Sequence, residues 1–356
     1  MRKVLALLLC ACVMLGAAAC GSNSGTSEAP EAPAAPAEGE TTEGAETKST
    51  VYYYVGINNN HAYWYDVHQG FEYAADKLGV EVVKAGVDGW DPEGQAAALE
   101  SVIARNPDGI IVPVFDATIL PGLDAAAEAG IPVVAIESSI DGAKVVSYVG
   151  LDNYDSGEKT AQKLIELAGT SGNLVIMGNW GAANTDAKRS GLEDYLAANS
   201  QWNVIARLDD KADTESAIEA AKTAFNNYPE MTAVVGLDSS SGAGIGAAME
   251  ELNIEAGAVS VVVHDREVLT LEYIQKGYIQ CTLANKTASM PFMALMILEG
   301  VVNHEMQNLP LSADNAGSGV NAVPEICYNG TMFITEDNVD NFIAENMVPV
   351  DSPNYN

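Results

Sequence analysis

The stretch VYYYVGINNNHAYWYDVHQGFEYAADKLGVEVVKAG (residues 51–86) decides the fold. It opens on a β-rich apolar run, VYYYVGI (51–57), and closes on another, VEVVKAG (80–86). Between them Val67, Phe71, Ala74 and Leu78 recur at i, i+4, i+7 and i+11, the buried stripe of an amphipathic helix. Strand, helix and strand in this order point to a parallel sheet with helices packed on it. The helix entrance is unusual. Asn58 to Asn60, then His61, Tyr63, Trp64 and Tyr65, stand where a Ser or Asp cap and a first turn of Glu are expected.

The alternation continues outward from this unit. Further strands are expected at GIIVPV (109–114), PVVAI (132–136) and VVSYVG (145–150). DPEGQAAALESVIA carries Asp91 as N-cap, Pro92 at the first helical position and Glu93 in the first turn. ATILPGLDAAAEAG stops on Gly130. A joining helix (152–169) leads to a second block, with strands at 173–178, 202–208, 232–237, 259–265 and 279–284. Helices near 185–199, 214–227, 242–252 and 267–276 separate them. Two such blocks predict an α/β protein with two similar doubly wound parallel-sheet lobes.

In open parallel sheets, ligands sit outside the carboxyl ends of the strands. The residues there are His61, Tyr63 and Trp64; Phe115 and Asp116; Glu137 and Ser138; Asn179 and Trp180; Asp238; His264 and Asp265; and Asn285. Carboxylates, amides and aromatics dominate this set. Aromatic faces stack on the C–H face of a sugar ring, and carboxylates and amides bond its hydroxyls in fixed directions. Extending the buried stripe backward reaches residue 63 or 64, so one of these two rings is also a candidate for the core.

Other chemistries find less support. GAGIG (242–246) lacks the full GxGxxG order, no Walker-type GK[ST] is present, and there is no GxSxG elbow. No cofactor and no catalytic activity are expected. His61 and His68 lie two helical turns apart, too far to share one small ion. The net charge of −32 argues against nucleic acid and against an anionic membrane surface as partners.

The chain begins MRKVLALLLCACVMLGAAAC. Arg2 and Lys3 precede a run of about a dozen apolar residues, too short to span a bilayer. Ala-Ala-Ala then precedes Cys20 in a stretch similar to a bacterial lipobox, although Ala17 stands where Leu is more usual. The expectation is a signal peptide (1–20) and a lipidated Cys20 as the sole membrane attachment. An acidic Ala-, Pro- and Glu-rich linker (21–50) follows.

The order of motifs resembles the periplasmic sugar-binding proteins of the ribose-binding type, which serve ABC transporters. The carrying stretches are GFEYAADKLGVEVV, DPEGQAAALESVIARNPDGIIVPV, AGIPVVAIES, YVGLDNYDSGEKTAQKL, YPEMTAVVGLDSSSGAGIGAAMEEL and IQKGYIQCTLANKT. They lie in this order over roughly residues 51–345. The resemblance implies a type I clamp whose lobes are joined by a three-crossover hinge. Its lobes would be 51–152 plus 285–325 and 153–284 plus 326–345, with a tail at 346–356. The crossovers would lie near Asp152–Asn153, Ala284–Asn285 and Pro324–Cys327. It implies ligand contacts at His61, Tyr63, Trp64, Glu137, Ser138, Lys188 (or Arg189 in a register one residue later), Asp238, His264, Asp265 and Asn285. Of the ribose-type hydrogen-bonding set, Asp265 alone is kept as it stands, so a different monosaccharide or a polyol is expected, or an amino sugar. The implied role is a monomeric, extracytoplasmic bacterial lipoprotein on the outer face of the cell membrane. It would deliver its ligand to an ABC permease, or present the closed clamp to a membrane receptor. Cys281 and Cys327 would both lie beside crossovers on the second lobe, where they could pair or stay as two free thiols.

Overall fold

The computed structural model describes residues 50–304 and 323–343. The expected signal segment, Cys20, the linker through residue 49 and the 346–356 tail lie outside them. The first sheet holds β1 (Val51–Gly56), β2 (Glu81–Gly86), β3 (Gly109–Val112), β4 (Val133–Ile136) and β5 (Ser147–Gly150). The second holds β6 (Ser171–Gly178), β7 (Gln201–Asp209), β8 (Ala233–Gly236), β9 (Ser260–His264) and β10 (Cys281–Asn285). A late strand joins each: β11 (Ile326–Tyr328) lies parallel to β5, and β12 (Thr331–Ile334) antiparallel to β10. The orders are β11-β5-β4-β3-β1-β2 and β12-β10-β9-β8-β6-β7. The central strands GIIV and VVAI are buried at every position, as strands covered on both faces require. The edge strand β7 alternates instead between partly buried and exposed residues.

The helices α1 (Trp64–Leu78), α2 (Pro92–Ile103), α3 (Leu120–Glu128) and α9 (Ser289–Val302) cover the first sheet. The second is covered by α4 (Asn153–Ala168), α5 (Ala183–Asn199), α6 (Thr214–Asn227), α7 (Ser239–Glu251) and α8 (Val268–Gln275). Asp91 caps α2 by accepting the Gly94 N–H at 2.9 Å, and Asp213 caps α6 through Ser216 N–H at 2.8 Å. Val67, Phe71 and Ala74 are buried against α9 and the first sheet, as the stripe predicted.

Two expectations need correction. The strand at 326–328 pairs with β5, so it belongs to the first sheet, and the third crossover falls at Asn329–Gly330. ICY and TMFI are equally short apolar runs, and periodicity carries no information on which sheet edge each reaches. Cys281 and Cys327 are both free; they sit in different sheets, on β10 and β11.

Candidate functional site: the cleft between the lobes

Strand order reverses between β1 and β3 in the first sheet and between β6 and β8 in the second. The loops leaving these strands face one another across a cleft. The first lobe lines it with Asn58, His61, Tyr63, Trp64, Trp90, Phe115 and Glu137. The second contributes Asn179, Ala182, Asn184, Thr185, Lys188, Ala212, Asp238, Ser239 and Asp265.

The entrance of α1 explains its odd composition. No side chain caps the helix at Tyr63. Instead the Tyr63 N–H donates to His61 Nδ1 at 3.2 Å. That leaves the proton on Nε2, which donates to Ser240 Oγ on the opposite lobe at 3.1 Å. Burial pushes the His61 pKa down, against the opposing charges of Asp238 and Asp213. Both ring nitrogens are therefore engaged by protein groups, and His61 presents its ring to the cleft. Trp64 is 4 % exposed and belongs to the first-lobe core, yet it also lines the cleft. It meets Tyr63 edge-on, with centroids 5.0 Å apart, and Phe115 at 6.3 Å. Trp90 packs on Phe115 at 5.2 Å. Of the two rings that competed for core and cleft, both reach the cleft.

Glu137 and Asp265 follow β4 and β9, the corresponding strands of the two lobes, and both take left-handed backbone (φ 64° and 69°). That conformation is costly for a residue with a side chain. It turns each carboxyl group out of the strand line into the cleft. Glu137 accepts from the Tyr63 hydroxyl, from Asn285 Nδ2 at 2.7 Å and from Asn184 Nδ2 at 3.5 Å. Burial raises its pKa, while Lys188 and these hydrogen bonds act in the other direction. Burial lifts Asp265 to about 7; Lys188 opposes the rise, and the negative charges of Glu137 and Asp238 add to it. Asp238 is the N-cap of α7, accepting from the Ser240 and Ser241 N–H groups at 2.8 and 3.3 Å.

Lys188 is 2 % exposed and donates to the Leu237 carbonyl at 3.3 Å. Two glycines bring it there. A Cβ at Gly157 would lie 1.9 Å from the Lys188 carbonyl oxygen, and one at Gly191 would lie 2.0 Å from that of Tyr154. The backbones of α4 and α5 touch at this crossing, so larger residues would push α5 and its lysine away. Arg189 points elsewhere, pairing with Asp186 and Glu193 at 3.5 and 3.7 Å.

Seven residues expected at the site line the cleft: His61, Tyr63, Trp64, Glu137, Lys188, Asp238 and Asp265. Three stand behind its wall. Asn285 donates to Glu137 and, at 2.8 Å, to the Tyr63 hydroxyl, and so orients both from the hinge. Ser138 is buried, and its hydroxyl has no partner among the described residues. His264, the last residue of β9, points into the second lobe and donates to Thr160 Oγ1 of α4 at 2.9 Å. Burial holds its pKa well below the usual histidine range, with Lys188 adding to the effect. Among residues not proposed for the site, Asn58, Trp90, Asn184, Thr185, Ala212 and Ser239 line the cleft. Trp90 follows β2 and obeys the same carboxyl-end rule that found the others.

The lobes meet around the cleft. Ala183 N–H donates to the Phe115 carbonyl across it at 3.0 Å, and Asn58 Nδ2 reaches the Ala212 carbonyl at 3.4 Å. Arg266 pairs with Asp66, which also accepts from Thr287 Oγ1 of the hinge at 3.1 Å. Among the described residues no cluster of His, Cys, Asp and Glu suits a metal ion, and no helix is long and apolar enough to cross a membrane.

A profile of the periplasmic binding protein domain matches residues 52–306. The xylose/arabinose-binding protein XylF of Sulfolobus acidocaldarius is 22 % identical over 262 residues, 69 % of this chain and 61 % of that protein, less than two thirds of its length. The xylitol-binding protein of Mycolicibacterium smegmatis is 24 % identical over 341 residues, 95 % of this chain and 87 % of that one. The structure of AraP, an arabinose-binding protein from Geobacillus stearothermophilus, superposes with a TM-score of 0.70 at 28 % identity, covering 83 % of this chain and 100 % of that one. The chain belongs to the periplasmic binding protein family, in its ribose-type sugar-binding group.

Proposed function

We propose that the protein captures one small neutral sugar or sugar alcohol, of pentose or pentitol size, between its lobes and delivers it to an ABC importer. The observation that carries this reading is the division of the cleft. An aromatic wall of Tyr63, Trp64, Trp90 and Phe115 on one lobe faces Asn179, Lys188, Asp238 and Asp265 on the other. One face suits the C–H side of a ring and the other its hydroxyls. Relatives named for xylose, arabinose and xylitol support the size class. A ligand bridging both walls favours the closed arrangement, and the permease reads that state. The protein acts as a monomer outside the cytoplasm of a bacterium, held to the outer face of the cell membrane by lipid on Cys20.

A thermal-shift panel tests the ligand class. D-xylose, L-arabinose, D-ribose and xylitol are compared with hexoses, glucosamine and nucleosides. A ligand at 1,000 times its Kd adds about 4 kcal/mol to the folded state. A shift confined to glucosamine would replace the neutral sugar with a cationic one, and a shift confined to nucleosides would end the sugar reading. Trp64→Ala is expected to weaken the hit about a hundredfold, ~2.7 kcal/mol.

A further inference from the structure

Behind Asp238 lies a second carboxyl group that the sugar-binding reading does not use. Asp210 follows β7 and is fully buried. Its Oδ2 accepts from Ser241 Oγ at 2.5 Å and its Oδ1 from the Ala212 N–H at 3.3 Å. Asp238 is fastened to the same serine, because its Oδ1 takes the Ser241 N–H as well as that of Ser240. The two carboxyl groups stand within hydrogen-bonding reach of each other. Asp238 Oδ2 is enclosed, and no N–H or O–H of another described residue reaches it.

Two ionised carboxylates cannot share such a place without a large desolvation and repulsion cost, and one proton between them removes most of it. The surroundings decide which group keeps the proton. Asp238 already accepts two backbone N–H groups at a helix N-terminus, so its Oδ1 is committed as an acceptor. Asp210 is the deeper of the two. Burial and the neighbouring Asp238 charge raise its pKa well above the carboxylate range, against the Ser241 and Ala212 hydrogen bonds. The other titratable groups around Asp238 are His61 from the first lobe, Asp265 and Glu267 after β9, and Lys188 of α5, which bonds the adjacent Leu237 carbonyl. Burial raises the pKa values of Asp265 and Glu267 and lowers that of His61, so Lys188, already bonded to the Leu237 carbonyl, is the one cation in this group.

We propose that Asp210 is a positioning residue that remains a neutral carboxylic acid, donates a hydrogen bond through its O–H to Asp238, and thereby locks Asp238 as an acceptor on the cleft wall. Three donors then fix the Asp238 carboxylate: the Ser240 and Ser241 N–H groups and the Asp210 O–H. Its remaining lone pairs are aimed before any ligand arrives. The pair lies wholly within the second lobe, so it exists whether the clamp is open or closed. Its consequence for affinity rests on the sugar-binding reading, whereas the shared proton does not.

The test has two arms on the whole protein. In the first, aspartate carboxyl carbons are labelled with 13C and titrated by NMR without ligand. One resonance, absent in Asp210→Asn, is expected to stay protonated through pH 7. If the resonance that disappears in Asp210→Asn ionises below pH 5, the proposal fails, whatever the other aspartates do. In the second arm, D-xylose and xylitol binding are followed from pH 5.5 to 8 by calorimetry. Asp210→Asn, whose amide can donate in place of the acid, is expected to bind within about threefold of wild type. Asp210→Ala is expected to bind at least tenfold more weakly. Equal losses in both variants would mean a merely structural role and overturn the proposal. If Asp210→Ala does not fold, a loss beyond threefold in Asp210→Asn overturns it equally. If wild type binds neither probe, the sugar reading falls, and the titration alone decides the pair.

Discussion

Glu137 and Asp265 occupy the same place in the two lobes, and their neighbourhoods differ. Each ends the fourth strand of its sheet in left-handed backbone, and each is buried. Glu137 is saturated, bonded to Tyr63 at the α1 entrance, Asn285 in the hinge and Asn184 on the far lobe. No hydrogen-bond donor among the described residues is paired with the Asp265 side chain. Identical placement therefore serves two ends. The Glu137 carboxylate ties the clamp together, while that of Asp265 is held at a cost for something that arrives later. A buried carboxylate without hydrogen-bond donors is expensive in a resting protein and useful where a ligand brings the donors.

Exchanging the expected outcomes at these two positions would break the comparison. Glu137→Ala strands the Tyr63 hydroxyl and two amides, and is expected to lower the unfolding free energy by about 3 kcal/mol in denaturant titrations. Asp265→Ala is expected to leave the melting temperature unchanged or higher while weakening pentose binding about a hundredfold, ~2.7 kcal/mol by calorimetry. A fall in melting temperature for Asp265→Ala would show that its carboxylate is structural after all.

The pH dependence sharpens the contrast further. Asp265 ionises near 7 in the folded protein and near 3.9 when unfolded. Between these values the folded state holds the extra proton, so this group's contribution to stability is full below about pH 4 and is lost as pH rises through 7. Thermal unfolding of the ligand-free protein is expected to show that decline from pH 5 to 8, and Asp265→Asn to reduce its slope, the part left belonging to Glu137 and Asp210, whose pKa values burial also raises. Opposite behaviour in Asp265→Asn would place the titration on another carboxyl group. The smallest effect belongs to the cross-lobe ion pair. Asp66→Asn removes a partly exposed contact worth about 1 kcal/mol. It is expected to weaken ligand binding about fivefold through a lower closed population, with no loss of stability within either lobe.

Much of this was legible in the sequence, for identifiable reasons. Continuous apolar runs such as GIIV and VVAI read as strands buried on both faces, and the carboxyl-end rule then points to loops that line the cleft. Within a loop, the rule does not say which of two neighbours turns inward. His264 and Asp265 are adjacent, yet the positive φ at Asp265 sends one side chain to α4 and the other to the cleft. Nothing in the residue types marks that turn, because aspartate there reads as an ordinary strand end. His61 shows the same limit: its residue type suggests a ligand contact, but the amide two residues on and a serine on the other lobe take both nitrogens. Trp90 was reachable by the rule and was hidden by its neighbours, since GWDPEG reads as a helix cap.

The bond from the Ala183 N–H to the Phe115 carbonyl joins the lobes through main chain alone. No substitution other than proline at 183 can delete it. Side-chain scanning of the cleft therefore leaves one gauge of lobe spacing intact in almost every variant. The set of ligands accepted could change over many substitutions while the width of the closed jaw stays the same.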